Sequence, residues 1–294
     1  MSKFLTVLFV LCSLCAHASE YVLSVCAIFQ NEAPYLNEWV SYHHKQGVEH
    51  FWLYNNNSTD DYKGALSSWI DKGIVEIIDW PSIHQENDWM NFSFTTQTGA
   101  YNDGLERARN VSKWLALIDT DEFIVPVHHE SIAMLLETLY SGCSGLCVNW
   151  QCYGTSGVSK APEGALLQSL THKMKWNHDW NKHSKSIVQP LHVVDCPNPH
   201  LCNYLPNHWA VDPRGNRCDA CCESVMIDVI RLNHYWTRDE WFFHNIKVPR
   251  YKRWGSDLEF IQKHADAMNE EYDPIIAKAA LDGWNSSLNS HVVP

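Results

Sequence analysis

Asp119-Thr120-Asp121 follows directly on an apolar run at residues 114–118. Two carboxylates at i and i+2 beyond a strand end can hold a hard divalent cation together with phosphate oxygens. A cation held there neutralises a diphosphate and makes it a better leaving group. Taken alone, a D-x-D is more often a turn or a helix cap. Other polar groups recur at similar places. Asn31-Glu32 and the run from Asn55 to Asp61 are turn and cap residues by type, equally suited to hydrogen-bond a base and a ribose. Gln97, Tyr101, Asn102 and Asp103 fall at near-helical spacing. In VIRLNHYWTRDEWFFHNIKVPRYKRW (229–254), His234 ends an apolar strand as a third metal ligand or as an ordinary hydrogen-bonded histidine. Asp239 or Glu240 is placed to act as a general base. Lys247, Arg250, Lys252 and Arg253 form a basic cluster suited to a departing phosphate or to a solvated helix face. Ser184-Lys185-Ser186 and His200 are further candidates for the same cleft.

These groups need a scaffold, and the first half supplies one. YVLSVCAIF (21–29), HFWLYN (50–55), IVEIIDW (74–80) and WLALID (114–119) are apolar strand patterns. Between them lie helix signals. Pro34 and Gly47 bracket the first, Ser58 or Thr59 caps the second with Gly73 closing it, and a third runs over about 95–109. Such alternation predicts an α/β fold, a mainly parallel sheet with helices on both faces. Ligands of such sheets sit at the carboxyl ends of the strands. Here all four ends are polar: Gln30-Asn31-Glu32, Asn55-Asn56-Asn57, Asp79-Trp80 and Asp119-Thr120-Asp121. That convergence turns the D-x-D from a bland turn into a candidate metal–diphosphate anchor. In the second half GLCVNWQCYG, KSIVQPLHVVD and VIRLNHYW read as strands, and 258–284 reads as a helical tail broken at Pro274.

Composition narrows the function class. With 294 residues, 45% hydrophobic and 19% charged, the chain can bury a sizeable core. A net charge of −12 argues against a nucleic-acid or anionic-membrane footprint. The 14 Trp and 12 Tyr are read first as core packing. Lys3, an apolar stretch at 4–15 and Ala16-His17-Ala18 form a secretory signal, expected to be cleaved after Ala18. The stretch is short for a membrane span, so anchoring is not expected unless the segment is retained. The expected location is the secretory route: an endomembrane lumen, a periplasm or the medium. There, most of the 11 cysteines should pair. Cys12 and Cys15 leave with the signal, an odd number remains, and Cys26 inside a strand is the candidate free thiol. Cys143, Cys147, Cys152, Cys196, Cys202, Cys218, Cys221 and Cys222 crowd into the second half. A zinc knuckle around 218–222 lacks a matching second C-x-x-C, so disulfides are the expectation. N-glycosylation sequons occur at Asn56, Asn57, Asn91, Asn110 and Asn285.

CAIFQNEAPYLNEWVSYHHKQGVEHFWLYNNNSTDD, IIDWP and QTGAYNDGLERARNVSKWLALIDTDEFIVP together resemble glycosyltransferase family 92 and its glycosyltransferase-2-like relatives. NHYWTRDEWFFHNIKVPRYKRW and KSIVQP are similar to that family's later elements, so the likeness covers about 22–254. The resemblance implies a GT-A, Rossmann-like nucleotide-diphospho-sugar transferase fold: one domain over 19–294, with a nucleotide-sugar half at 19–126, an acceptor half at 127–255 and a tail at 256–294. It implies a UDP-sugar donor, Mn2+ (or Mg2+), and inverting transfer of a hexose, often galactose, to a glycan hydroxyl. Residue by residue, it puts Asp119, Asp121 and His234 on the metal. It puts Asn31, Glu32, Asn55, Asp60, Gln97, Asp119, Lys247 and Arg250 around the donor, and leaves Asp239 or Glu240 as base. The family's usual K-S after H-Y is Arg238-Asp239 here, and a cysteine-rich insert occupies 196–222. Two other classes stay open: a secreted, non-catalytic carbohydrate-binding protein on a transferase scaffold, and a hydrolase using paired carboxylates.

Overall fold

Strand β1 (Tyr21–Phe29) is apolar on both faces, and the two faces feed different cores. Leu23, Val25, Ala27 and Phe29 pack with Leu36, Trp39 and Val40 of the helix Ala33–Lys45. Cys26 and Ile28 pack with Ala100, Tyr101 and Leu105 of the helix Thr98–Ala108. This period-two split is what a strand sandwiched between helices requires. The computed structural model describes residues 19–82, 89–218 and 224–276. The N-terminal signal, Cys221, Cys222 and Asn285 lie outside these residues.

After β1 come β2 (His50–Asn55), β3 (Val75–Asp79), β4 (Ser112–Leu117), β5 (Glu122–Pro126), β6 (Gly145–Cys152) and β7 (His172–Lys173). They are followed by β8 (Ser184–Val188), β9 (Val193–Asn198), β10 (Leu201–Tyr204), β11 (Ala210–Val211), β12 (Ile230–His234) and β13 (Glu271–Tyr272). The main sheet runs β3-β2-β1-β4-β8-β6-β12-β5, with β11 beside β6. Pairing is parallel through β3-β2-β1-β4, antiparallel where β8 joins β4 and β6, parallel for β6–β12 and antiparallel for β12–β5. The expected α/β sheet, mainly parallel and with helices on both faces, is present. The first three strands fall within a residue or two of their sequence patterns.

Three local differences have physical causes. The second helix starts at Tyr62 behind Asp61, whose carboxylate accepts the Gly64 N–H at 3.0 Å. Ser58 and Thr59 are used instead to brace the preceding loop. The helix expected over 95–109 begins with a π-helical stretch, Phe92–Gln97, and this wider turn sets Gln97 beside the D-x-D. Among the described residues the tail is helical over Leu258–Ala267 and again at 275–276; between them Glu271 and Tyr272 pair with β7 as a short strand. Cys26 is unpaired and buried, as expected. Its sulfur lies under Gly104, where a Cβ would come within 2.5 Å of it, so glycine lets this helix press onto β1. Cys143 and Cys152 form no disulfide among the described residues. Cys196 and Cys202 face each other across the β9-β10 hairpin, Sγ to Sγ 2.8 Å. No helix of the described residues is long and apolar enough to cross a membrane.

Candidate active site

The carboxyl ends of β1, β2 and β4 open on two adjoining cavities. The smaller, about 200 Å3, is lined by Gln30, Glu32, Asn56, Ser82, Arg250 and Arg253 among others. The larger, about 1040 Å3, is walled by Trp150, Trp180, Trp236, His183, His200 and Phe260 among others. Asp119, Asp121, Gln97, Lys247, Tyr251 and Trp254 line both, so the D-x-D stands at their junction.

Its two carboxylates have different partners. Asp119 Oδ2 is 2.9 Å from the ammonium of Lys185 on β8. Its Oδ1 accepts from Gln97 Nε2 at 2.7 Å and from the Tyr101 hydroxyl at 3.0 Å. Asp121 Oδ1 is 3.4 Å from His234 Nε2, and its Oδ2 is 3.1 Å from Lys247 Nζ. Burial pushes the Asp121 carboxyl up, but Lys247, His234 and Arg238 outweigh it and hold the group well below the usual carboxylate range. Burial lowers His234 against the pull of Asp121, which favours the neutral, metal-binding imidazole. Glu122 is buried beside them. It accepts the Asp119 N–H at 2.8 Å and stands 3.9 Å from Lys185. Burial, with Asp119 and Asp121 adding to it against Lys185, raises its carboxyl well above the usual range.

A divalent cation fits part of the expected ligand set. Asp121 Oδ1 and His234 Nε2 offer one oxygen and one nitrogen at a shared point, and His234 Nδ1 is buried without a hydrogen-bond partner. Among the described residues no three His, Cys, Asp or Glu side chains converge as a metal cage. Asp119, expected as a ligand, is committed to Lys185, Gln97 and Tyr101. The fit is therefore to an ion shared with a diphosphate and water, the habit of Mg2+ and Mn2+.

The expected donor residues divide. Glu32, Gln97, Asp119, Lys247 and Arg250 line the smaller cavity. Asn31, Asn55 and Asp60 line neither, because each is spent on loop structure. Asn31, at φ +56°, binds Ser58 and Thr59. Asn55 binds Ser58, Tyr62 and Asp79. Asp60 accepts the Ala33 N–H at 2.7 Å and so caps the first helix. Their neighbours Gln30 and Asn56 take the cavity wall, with Gln30 Nε2 donating to the Asn56 carbonyl at 2.9 Å. The only sequence signal for them was position at a strand end. Asn56 also donates to the Trp80 carbonyl and to Ser82, so its sequon is buried in structure.

Neither expected base reaches the cleft. Asp239 is buried and accepts the Phe242 and Ala161 N–H groups, each at 2.8 Å. Glu240 lies in the short helical turn that Asp239 caps, and it lines neither cavity. The unusual Arg238, at φ +52°, is buried behind the site and lines neither cavity. Its guanidinium pairs with Glu32, contacts the Thr120 carbonyl at 3.4 Å and lies 3.7 Å from the centre of the Tyr35 ring.

The family model described as Glycosyltransferase family 92 matches residues 19–273. The chain belongs to glycosyltransferase family 92. A family 92 protein of Ricinus communis is 29% identical over 191 residues, covering 60% of this chain and 30% of its own length. The beta-1,4-galactosyltransferase galt-1 of Caenorhabditis elegans is 29% identical over 270 residues, covering 87% of this chain and 55% of its own length. The chain thus spans about a third to a half of these curated relatives. Among solved structures, TarS of S. aureus in complex with UDP aligns at 13% identity and a TM-score of 0.37, over 57% of this chain and 47% of that one. The sheet described above is parallel through β3-β2-β1-β4, turns antiparallel at β8 and is mixed beyond it.

Proposed function

We propose that this family 92 chain transfers a hexose, galactose being the first to test, from a UDP-sugar to a hydroxyl of a glycan, with inversion and with Mn2+ or Mg2+ bound. The observation that carries the reading is the position of Asp121. It lines both cavities, it is held ionised, and His234 and Lys247 flank it. The smaller cavity suits the nucleoside, with Gln30, Glu32 and Asn56 as its polar wall. The larger suits an acceptor of several sugar units, because Trp180 and Phe260 offer apolar ring surface for pyranose C–H groups, with Trp150 and Trp236 buried behind them. Asp121 and His234 would hold the cation, which would neutralise the diphosphate as it leaves. Lys247 and Arg250 place fixed positive charge where negative charge develops on the leaving group. Lys185, Gln97 and Tyr101 fix Asp119, whose carboxylate faces the donor. Acceptor attack opposite the leaving group gives inversion. The location proposed is a compartment of the secretory route where nucleotide sugars are supplied, such as an endomembrane lumen.

The test is a thermal-shift panel of nucleotide sugars, with and without Mn2+, on wild type and Asp121→Ala. A ligand at 100 times its Kd adds about 2.7 kcal/mol, a readily seen shift. Stabilisation by a UDP-sugar with Mn2+, lost in Asp121→Ala, is the expected result. No shift with any nucleotide sinks the reading. Glycan binding without any nucleotide effect would favour the non-catalytic carbohydrate-binding alternative instead.

A further inference from the structure

The acceptor hydroxyl needs a base, and the carboxylates that line the cavities are already engaged. Among the described residues these are Glu32, Asp119 and Asp121. They are bound to Arg238, Lys185 and Lys247 respectively. The Tyr251 hydroxyl accepts from Trp236 Nε1 at 3.1 Å, and burial holds it up at about 12. Three imidazoles remain in the larger cavity: His183, His200 and His234. His234 faces Asp121. His183 lies flat against Trp150, ring centres 4.9 Å apart at 20°, as part of the wall.

His200 is placed differently. It sits in the two-residue turn between β9 and β10, and the N–H of its backbone is bound by Asn198 at 2.8 Å. Its Nδ1 lies 2.9 Å from the Ser184 carbonyl. A carbonyl oxygen only accepts, so Nδ1 carries the proton and Nε2 carries the lone pair. Ser184 is the neighbour of Lys185, so the strand that anchors Asp119 also orients this ring. Cys196 and Cys202, which meet at 2.8 Å, close the hairpin on either side of the turn.

We propose that His200 Nε2 is the general base that takes the proton from the acceptor hydroxyl, delivered to the cleft by the β9-β10 hairpin. This rests on the transfer reaction proposed above. The acceptor oxygen forms its bond to the anomeric carbon while the bond from that carbon to the β-phosphate oxygen breaks. The bonding pair leaves with the nucleoside diphosphate, the proton passes to Nε2, and the imidazolium then gives it to water. The charged and titratable groups that face the ring are Lys185, His183 and Asp119. Burial, then Lys185 and His183, against the Ser184 hydrogen bond and Asp119, lowers His200 to about 4, so the imidazole is neutral at pH 7.

The experiment compares His200→Gln, His183→Gln and His200→Ala with wild type for transfer, and for thermal stabilisation by UDP-sugar and Mn2+. His200→Gln is expected to lower kcat by about 10²- to 10⁴-fold, the usual worth of a general base, with the donor-induced shift unchanged. His183→Gln removes a wall contact of the larger cavity, so it is expected to raise KM for the glycan more than it lowers kcat, the reverse of His200→Gln. Added imidazole should restore transfer to His200→Ala, and the rescue should follow the neutral imidazole as pH rises, which a filled cavity would not do. Transfer by His200→Gln within about tenfold of wild type, below any usual general-base effect, overturns the proposal. So does rescue that ignores imidazole protonation. If His200→Gln fails to fold, the rescue of His200→Ala decides. If wild type shows donor stabilisation but His200→Gln transfers normally, the transfer reading stands and only the base assignment falls. If wild type shows neither, both fall.

Discussion

Lys185 on β8 and Asp119 at the end of β4 form a salt bridge of 2.9 Å in which the lysine side chain is 1% exposed. The first carboxylate of the D-x-D is thus neutralised within the fold, before any ligand arrives. Removing one partner of a buried pair leaves the other charge uncompensated, at a cost of about 3–5 kcal/mol. Lys185→Met should lower stability by about that much, measured by urea unfolding. Lys185→Arg should not rescue it, because a planar guanidinium cannot take the place of a compact ammonium among Asp119, Tyr101 and Glu122.

Glu122 gives a pH signature of opposite sign to an ordinary paired carboxylate. Its folded-state pKa is raised, chiefly by burial. It therefore favours the fold below the unfolded pKa of about 4.3, and this contribution is lost as pH rises through its higher folded value. Glu122→Gln keeps an oxygen for the Asp119 N–H and removes the titration. Wild type should lose stability relative to Glu122→Gln as pH rises above about 4.3 and until the folded-state carboxyl ionises. Denaturant midpoints of the two proteins across that range check it; a difference that does not change with pH would contradict the assignment.

Asp239 and Glu240 should behave as structure and surface. Asp239→Ala removes a helix cap and should cost about 1 kcal/mol of stability. Glu240→Gln should leave both stability and transfer close to wild type, within about 0.5 kcal/mol. A transfer assay on Glu240→Gln that shows loss without unfolding would return the base to this residue.

Trp180 lines only the larger cavity, so Trp180→Ala should raise KM for the glycan and leave KM for the nucleotide sugar unchanged. A loss of about 1.4 kcal/mol of stacking corresponds to about tenfold in the acceptor term. Initial-rate kinetics with each substrate varied in turn separates the two.

The parallel half was legible because its strands are continuous apolar runs with helix signals between them, and its chain ends carry the polar residues. Asp121, His234, Lys247 and Arg250, singled out from type and position, line the cavities in the fold. Asn31, Asn55 and Asp60 were not resolved from Gln30 and Asn56, because Asn and Asp serve loops and ligands with the same atoms. Register and φ decide between those uses, and neither is written in composition. Asp239 read as a base because a carboxylate beside a cleft motif looks reactive; the cap it makes to Phe242 is equally consistent with its place before a helical turn. In the sequence His200 was a candidate for the cleft without a role. Its value depends on Ser184, which lies 16 residues earlier and on another strand.

Strand β8, from the later half of the chain, is hydrogen-bonded on one side to β4 and on the other to β6, and β5, from the earlier half, pairs among the described residues with β12 alone. Neither half can complete its sheet without a strand of the other. A chain cut after residue 126 would leave β4 with an open edge and Asp119 without its lysine. If the proposed transfer holds, a new acceptor is therefore more readily reached by altering the hairpin and the wall of the larger cavity than by exchanging halves as cassettes.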